Sequence, residues 1–92
     1  MCLLGCDIGS SSVKASIVDK DTGLTLASDF YPKEEAAIKA VRPGWAEQNP
    51  DDWWKAICEN NEELLKEIDK KQVAGMAFSG QMMGCVPVDK NG

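Results

Sequence analysis

The apolar residues fall into several short runs and one longer stripe of helical spacing. The first run, Leu3-Leu4-Gly5-Cys6-Asp7-Ile8, is nearly continuous and breaks at Gly9 and the hydroxyls of Ser10, Ser11 and Ser12. It resumes as the alternating Val13-Lys14-Ala15-Ser16-Ile17-Val18. Two such runs across a small polar turn predict a tight β-hairpin. Residues 19–23 form a second turn of hairpin length, and residues 24–31 alternate as a third antiparallel strand. The near-continuous first strand is expected at the centre of the sheet, covered on both faces. The third, more openly alternating, belongs toward an edge.

Residues 32–48 make a long connection, a kind of segment that often carries function. Helical propensity over residues 34–41 is stopped by Pro43-Gly44, and residues 45–48 continue extended, with Trp45 expected to anchor the loop. A helix then starts cleanly. Asn49 is its N-cap, Pro50 takes the first helical position, and Asp51 and Asp52 suit the positive end of the dipole. Trp53, Ile57, Leu64 and Ile68 form its apolar stripe, widened by Trp54, Asn61 and Leu65. The polar face carries a Glu62–Lys66 pair at i,i+4 spacing. Both tryptophans are expected in the core, and the helix is expected to cover the sheet.

Lys70 and Lys71 close that helix, and residues 73–78 read as a buried strand in which Gly75 marks a close backbone approach. A strand–helix–strand connection of this length is a right-handed crossover, which puts the fourth strand parallel to the first. The fold class is therefore α/β: a mixed sheet with antiparallel strands 1–3, a crossover helix and a parallel strand 4. Residues 79–84 leave the carboxyl end of that strand, where open α/β sheets collect ligands. Met82 and Met83 also suit apolar gap-filling, and Gln81 a bracing hydrogen bond. Residues 85–88 read as a strand running into an Asn91-Gly92 turn. One helix on a sheet whose first strand looks doubly buried implies the front piece of a larger protein.

Composition narrows the function. A net charge of -5 without histidine offers no basic face for nucleic acid, so any anion site must be local. The four cysteines (Cys2, Cys6, Cys58, Cys85) match no zinc spacing and are expected as reduced thiols of a cytoplasmic protein. No apolar run is long enough for a membrane span.

The first hairpin holds the candidate chemistry. Backbone amides in a Gly-containing turn form a concave nest for anions, and Gly9, Ser10 and Ser11 are small enough to let phosphate oxygens approach. Lys14 would add a positive charge, and Asp7 could hold the Mg²⁺ that accompanies ATP. An ordinary hairpin, with Asp7 bonded to the turn amides and Lys14 in solvent, fits the same residues.

In order along nearly the whole chain, three segments resemble the N-terminal end of the FGGY carbohydrate kinases, and among them the xylulokinases. Gly5-Cys6-Asp7-Ile8-Gly9-Ser10-Ser11-Ser12-Val13-Lys14 resembles the family's first phosphate motif. Arg42-Pro43-Gly44-Trp45-Ala46-Glu47-Gln48-Asn49-Pro50 with Trp53-Trp54 resembles the approach to its first helix. Ser79-Gly80-Gln81-Met82-Met83-Gly84 resembles its Gly-Gln-Met-His-Gly loop, with Met83 in place of the His. The resemblance implies the N-terminal subdomain of the ribonuclease-H-like (actin-like ATPase) fold, with residues 1–92 as the N-terminal part of the first of two kinase domains. It implies transfer of the ATP γ-phosphoryl group to a sugar hydroxyl with Mg²⁺. Asp7 would orient the metal, Gly9, Ser10, Ser11 and Lys14 would face the phosphates, and Gln81, Met82 and Met83 would line the sugar site. The family's catalytic base lies later in such chains, so none is assigned here. The alternatives are a nucleotide-binding module of the same superfamily without kinase activity, and an inactive fragment that self-associates into a homo-oligomer.

Overall fold

The computed structural model describes every residue except Glu35. Four strands, β1 (Cys2–Ile8), β2 (Val13–Asp19), β3 (Thr25–Tyr31) and β4 (Val73–Gly80), form one sheet in the order β3-β2-β1-β4. The pairs β1–β2 and β2–β3 are antiparallel, and β4 runs parallel to β1. Helix α1 (Pro50–Leu64) and a short 3-10 turn (Lys70–Gln72) make the crossover between β3 and β4.

The central place of β1 agrees with its sequence, but its double coverage does not. Cys2, Leu4 and Cys6 are buried, whereas Leu3, Gly5 and Asp7 are exposed. α1 covers one face, across β2 and β3, and no described element lies over the other. On the covered face Cys2, Leu4, Cys6, Ala15, Ile17 and Leu64 form the main core, with Val13, Ala56 and Ile57 as a second cluster. Each large aliphatic side chain fully buried there contributes roughly 1.5–3 kcal/mol.

Asn49 caps α1 as expected, its Oδ1 accepting from Asp51 N–H at 3.0 Å. The buried stripe differs from the expected one. Trp54 is 67% exposed, and Ala56 and Asn60 take inward positions beside Ile57 and Leu64. Ala56 and Ile57 pack with Val13, and at about 3.6 residues per turn a stripe through 56, 57, 60 and 64 leaves Trp54 off to one side. The helix ends at Leu64, so Ile68 reaches the core from the following turn. Lys66 pairs with Glu63 at 2.9 Å rather than with Glu62.

At the β2–β3 turn Asp19 Oδ1 accepts from the Asp21 and Thr22 N–H groups, each at 2.9 Å. Those bonds hold its carboxyl below the usual aspartate range. Of the helix expected over 34–41, Glu35 lies outside the described residues and the rest is not helical. Instead Lys39 and Glu47 exchange two backbone bonds of 2.7 Å around the Arg42–Trp45 turn. Gly44 has φ +83° there. Pro followed by a positive-φ glycine is a type II turn, and it pairs its flanks as extended chain against their helical propensity. Trp45 does not anchor this loop: it is 52% exposed, with the Arg42 guanidinium 5.1 Å from its ring.

β4 is an edge strand beyond the part of the sheet that α1 mainly covers, so Met76 and Phe78 are exposed and the expected strand is present but not buried. Gly75 is not tight, since a Cβ there would meet only Leu3 Cδ2 at 3.6 Å. The close approach is at Gly80, where a Cβ would lie 2.8 Å from the Ile8 carbonyl oxygen. Residues 85–88 form no strand, because no described segment offers them a ladder partner. The final turn is present, with Gly92 N–H donating to Asp89 O at 3.0 Å. All four cysteines are free, Cys2 and Cys6 buried and Cys58 and Cys85 exposed. Among the described residues, no helix is long and apolar enough to cross a membrane.

Candidate functional site

The turn between β1 and β2 is drawn tight by its own backbone and then braced from outside. Gly9 N–H donates to Ser12 O at 3.0 Å, and a Cβ on Gly9 would come within 3.0 Å of that oxygen. Ser10 and Ser11 are exposed at its tip. Two remote segments hold it: Ala36 N–H donates to Ser11 O at 2.7 Å, and Gln48 Nε2 donates to Ser10 O at 2.5 Å. Trp53 Nε1 in turn donates to Gln48 Oε1 at 3.1 Å. Behind the turn, on the helix side, lies a cavity of about 190 Å³ lined in part by Gly9, Tyr31, Pro32, Gln48 and Trp53.

Asp7, Lys14 and Ser79 are register partners across β1, β2 and β4. They occupy the open face, at the end of the sheet that carries the turn. Residues paired in this way share one face with backbones about 4.8 Å apart. All three are exposed, so the Asp7 carboxylate does not bear the desolvation cost of a buried acid. Among the described residues Asp7 accepts no bond from the turn amides, and its carboxylate makes no ion pair with Lys14. The ordinary-hairpin alternative is thus met only in Lys14 reaching solvent.

The loop after β4 starts beside the turn. Gln81 N–H donates to Ile8 O at 3.0 Å, one residue before Gly9. Beyond that bond the loop is open, with Gln81 exposed, Met82 81% exposed and Met83 90% exposed. The methionines fill no gap, and the brace at Gln81 is its backbone rather than its side chain.

No group of three or more His, Cys, Asp or Glu converges among the described residues. A single exposed carboxylate suits Mg²⁺, which keeps most of its waters and binds through one or two carboxylates plus substrate phosphates. Asp7 is the residue that would hold it. Elsewhere, Lys33 bonded to Asp29 holds that carboxyl below the usual range, and burial pushes the Cys6 thiol up.

Sequence reasoning missed Gln48, the Trp53 indole N–H and Asn60. Asn60, 1% exposed, donates Nδ2 to Val13 O at 2.7 Å. Their partners lie 38 and 47 residues away for Gln48 and Asn60, beyond any local pattern. The available signal was compositional: a polar residue inside an apolar stripe, and a glutamine directly before the N-cap.

A mixed sheet of this order with a parallel fourth strand, one crossover helix and the first hairpin at the carboxyl end defines the N-terminal subdomain of the actin-like ATPase fold. The family model for the FGGY family of carbohydrate kinases, N-terminal domain, matches residues 2–92, and the chain belongs to that family. A xylulose kinase of Staphylococcus epidermidis is 38% identical over 92 residues, covering 98% of this chain and 18% of that protein. Among solved structures, a xyloylose kinase from Brucella ovis has a TM-score of 0.77 at 32% identity, covering 89% of this chain and 17% of its own. A xylulose kinase from Rhodospirillum rubrum shares the fold at TM-score 0.86 and 24% identity, over 100% of this chain and 19% of its own. The chain therefore spans about a fifth of the length of these relatives.

Proposed function

We propose that residues 1–92 are the N-terminal part of the first domain of a two-domain cytoplasmic kinase. That kinase transfers the ATP γ-phosphoryl group to a hydroxyl of a pentulose such as xylulose. The observation that carries the proposal is the row Asp7–Lys14–Ser79 on the open face, with the Gly9–Ser12 turn and the Gln81 loop leaving the same end. Phosphoryl transfer depends mostly on positioning and charge neutralisation, and these residues suit both. Gly9, Ser10 and Ser11 give the phosphates close access and hydrogen-bond donors, and Lys14 offsets their charge. Gln81, Met82 and Met83 form one wall of the sugar site. Mg²⁺ near Asp7 would neutralise phosphate charge, and the residue that deprotonates the acceptor lies outside this chain. Relatives that include xylulose kinases support the acceptor class. Met83, in place of a histidine able to bond a hydroxyl, argues for a shifted preference among pentuloses and polyols.

The test is a coupled ADP-release assay of the full-length polypeptide against a panel of ketoses and polyols. ATP turnover stimulated by one of them is expected; equal background turnover with every sugar would overturn the proposal. The chain alone is expected to be inactive and to self-associate through its uncovered sheet, seen as a mass above the monomer in light scattering.

A further inference from the structure

We infer that Gln48 is a positioning residue for nucleotide phosphate, acting through the backbone of the β1–β2 turn; this rests on the kinase reading above. A trans peptide unit is planar, with its C=O and N–H pointing in opposite directions. Gln48 Nε2 draws the Ser10 carbonyl toward the 36–48 segment, and Ala36 N–H does the same to the Ser11 carbonyl. The N–H groups of the same two peptide units, those of Ser11 and Ser12, must then face away from that segment. Neither donates a hydrogen bond to a described residue. Two successive amides turned the same way, without a partner among the described residues, are the elements of an anion nest.

The orientation of Gln48 is itself fixed. The indole Nε1–H of Trp53 can only donate, so the amide oxygen of Gln48 must face Trp53 and its NH₂ must face Ser10. A reversed amide would set two oxygens against each other at Ser10 and two N–H donors against each other at Trp53. Trp53, on the second turn of α1, therefore decides which atom Gln48 offers to the turn. Gln48 need not touch ATP for this. It sets the direction of the amides that do.

The experiment uses the full-length polypeptide, with KM measured separately for ATP and for the sugar, alongside the thermal midpoint. Gln48→Ala is expected to raise KM for ATP about five- to tenfold, the effect of losing one hydrogen bond, and to leave KM for the sugar and the midpoint near wild type. Gln48→Glu, which keeps the bond from Trp53 but sets a carboxylate against Ser10 O, should be at least as impaired. Trp53→Phe frees the amide to turn over and should raise KM for ATP about twofold. The pair Gln48→Ala/Trp53→Phe should be no worse than Gln48→Ala, because both act through one bond. An unchanged KM for ATP in Gln48→Ala, or equal increases in both KM values with a lowered midpoint, would overturn the inference. Asp7→Asn and Lys14→Ala separate the two levels. If they impair ATP use while Gln48→Ala does not, the kinase reading stands and only the role of Gln48 falls. If none of the three impairs it, the phosphate assignment of the turn falls with the inference.

Discussion

The turn over residues 9–12 and the loop over residues 81–84 leave neighbouring strands at the same end of the sheet, yet they are held by different means. The turn is closed by Gly9 and Ser12 and fastened by Ala36 and Gln48 from distant parts of the chain. Among the described residues the loop has one backbone bond, from Gln81 to Ile8, and then extends into solvent. The first region is specified by residues present in this chain. The second displays side chains without a described surface opposite them, as expected where the chain spans 18% of a relative's length. On the proposed reading, the phosphate side would be set by residues of this chain, whereas the sugar side would need another wall.

Breaking the platform beneath the turn should have the largest effect. Ile17 is fully buried in the core under β1 and β2, so Ile17→Ala is expected to cost about 2–5 kcal/mol, read from denaturant unfolding. A loss no larger than that of a surface substitution would show that the turn does not stand on a rigid base. Next is the seam between the two regions. Gly80→Ala places a methyl 2.8 Å from the Ile8 carbonyl, and forcing backbone apart there should cost about 1–3 kcal/mol. Amide exchange should then quicken at both Gln81 and Gly9; quickening at Gln81 alone would separate the regions.

Smaller still, Met83→Ala should change unfolding free energy by less than about 0.5 kcal/mol, since the side chain is exposed, while altering KM for the sugar in the full-length polypeptide. A larger stability loss would mean that the loop is already packed. The smallest effect belongs to the β3 edge, away from both regions. The Lys33 ammonium holds the Asp29 carboxyl below its ordinary value. Its contribution is complete above the unfolded value of about 3.9 and fades as pH falls through the lower folded value. The stability difference between the wild type and Asp29→Asn, about 0.3 kcal/mol for such an exposed pair, should therefore vanish in acid.

A nearly continuous apolar run for β1, period-two alternation for β2 and β3, and turn residues between them were enough to read these strands, and crossover length gave the parallel β4. Asn49-Pro50 marked the start of α1 to the residue. Coverage was harder to read, because an apolar run does not say how many faces find a partner. Leu3 on β1 and Phe78 on β4 look like core residues in sequence and are exposed in this chain. Tryptophans misled for a related reason: Trp45 and Trp54 are large enough to suggest burial, but Trp45 follows the Pro43-Gly44 turn into solvent and Trp54 lies beside the buried stripe of α1. At the candidate site, the placement of Asp7, Gly9 and Lys14 at the turn end of the sheet was legible. The braces were not, since Gln48 and Asn60 act on carbonyls far away in sequence.

The Ile8 carbonyl sits at the junction of all this, receiving the Gln81 amide while Gly80 lies flush against it. With no side chain between them, the ends of β1 and β4 behave as a single welded plate rather than two hinged flaps. Any movement of the β4 end would have to carry the β1 end with it, so the serine tip and the root of the methionine-bearing loop would keep a fixed separation.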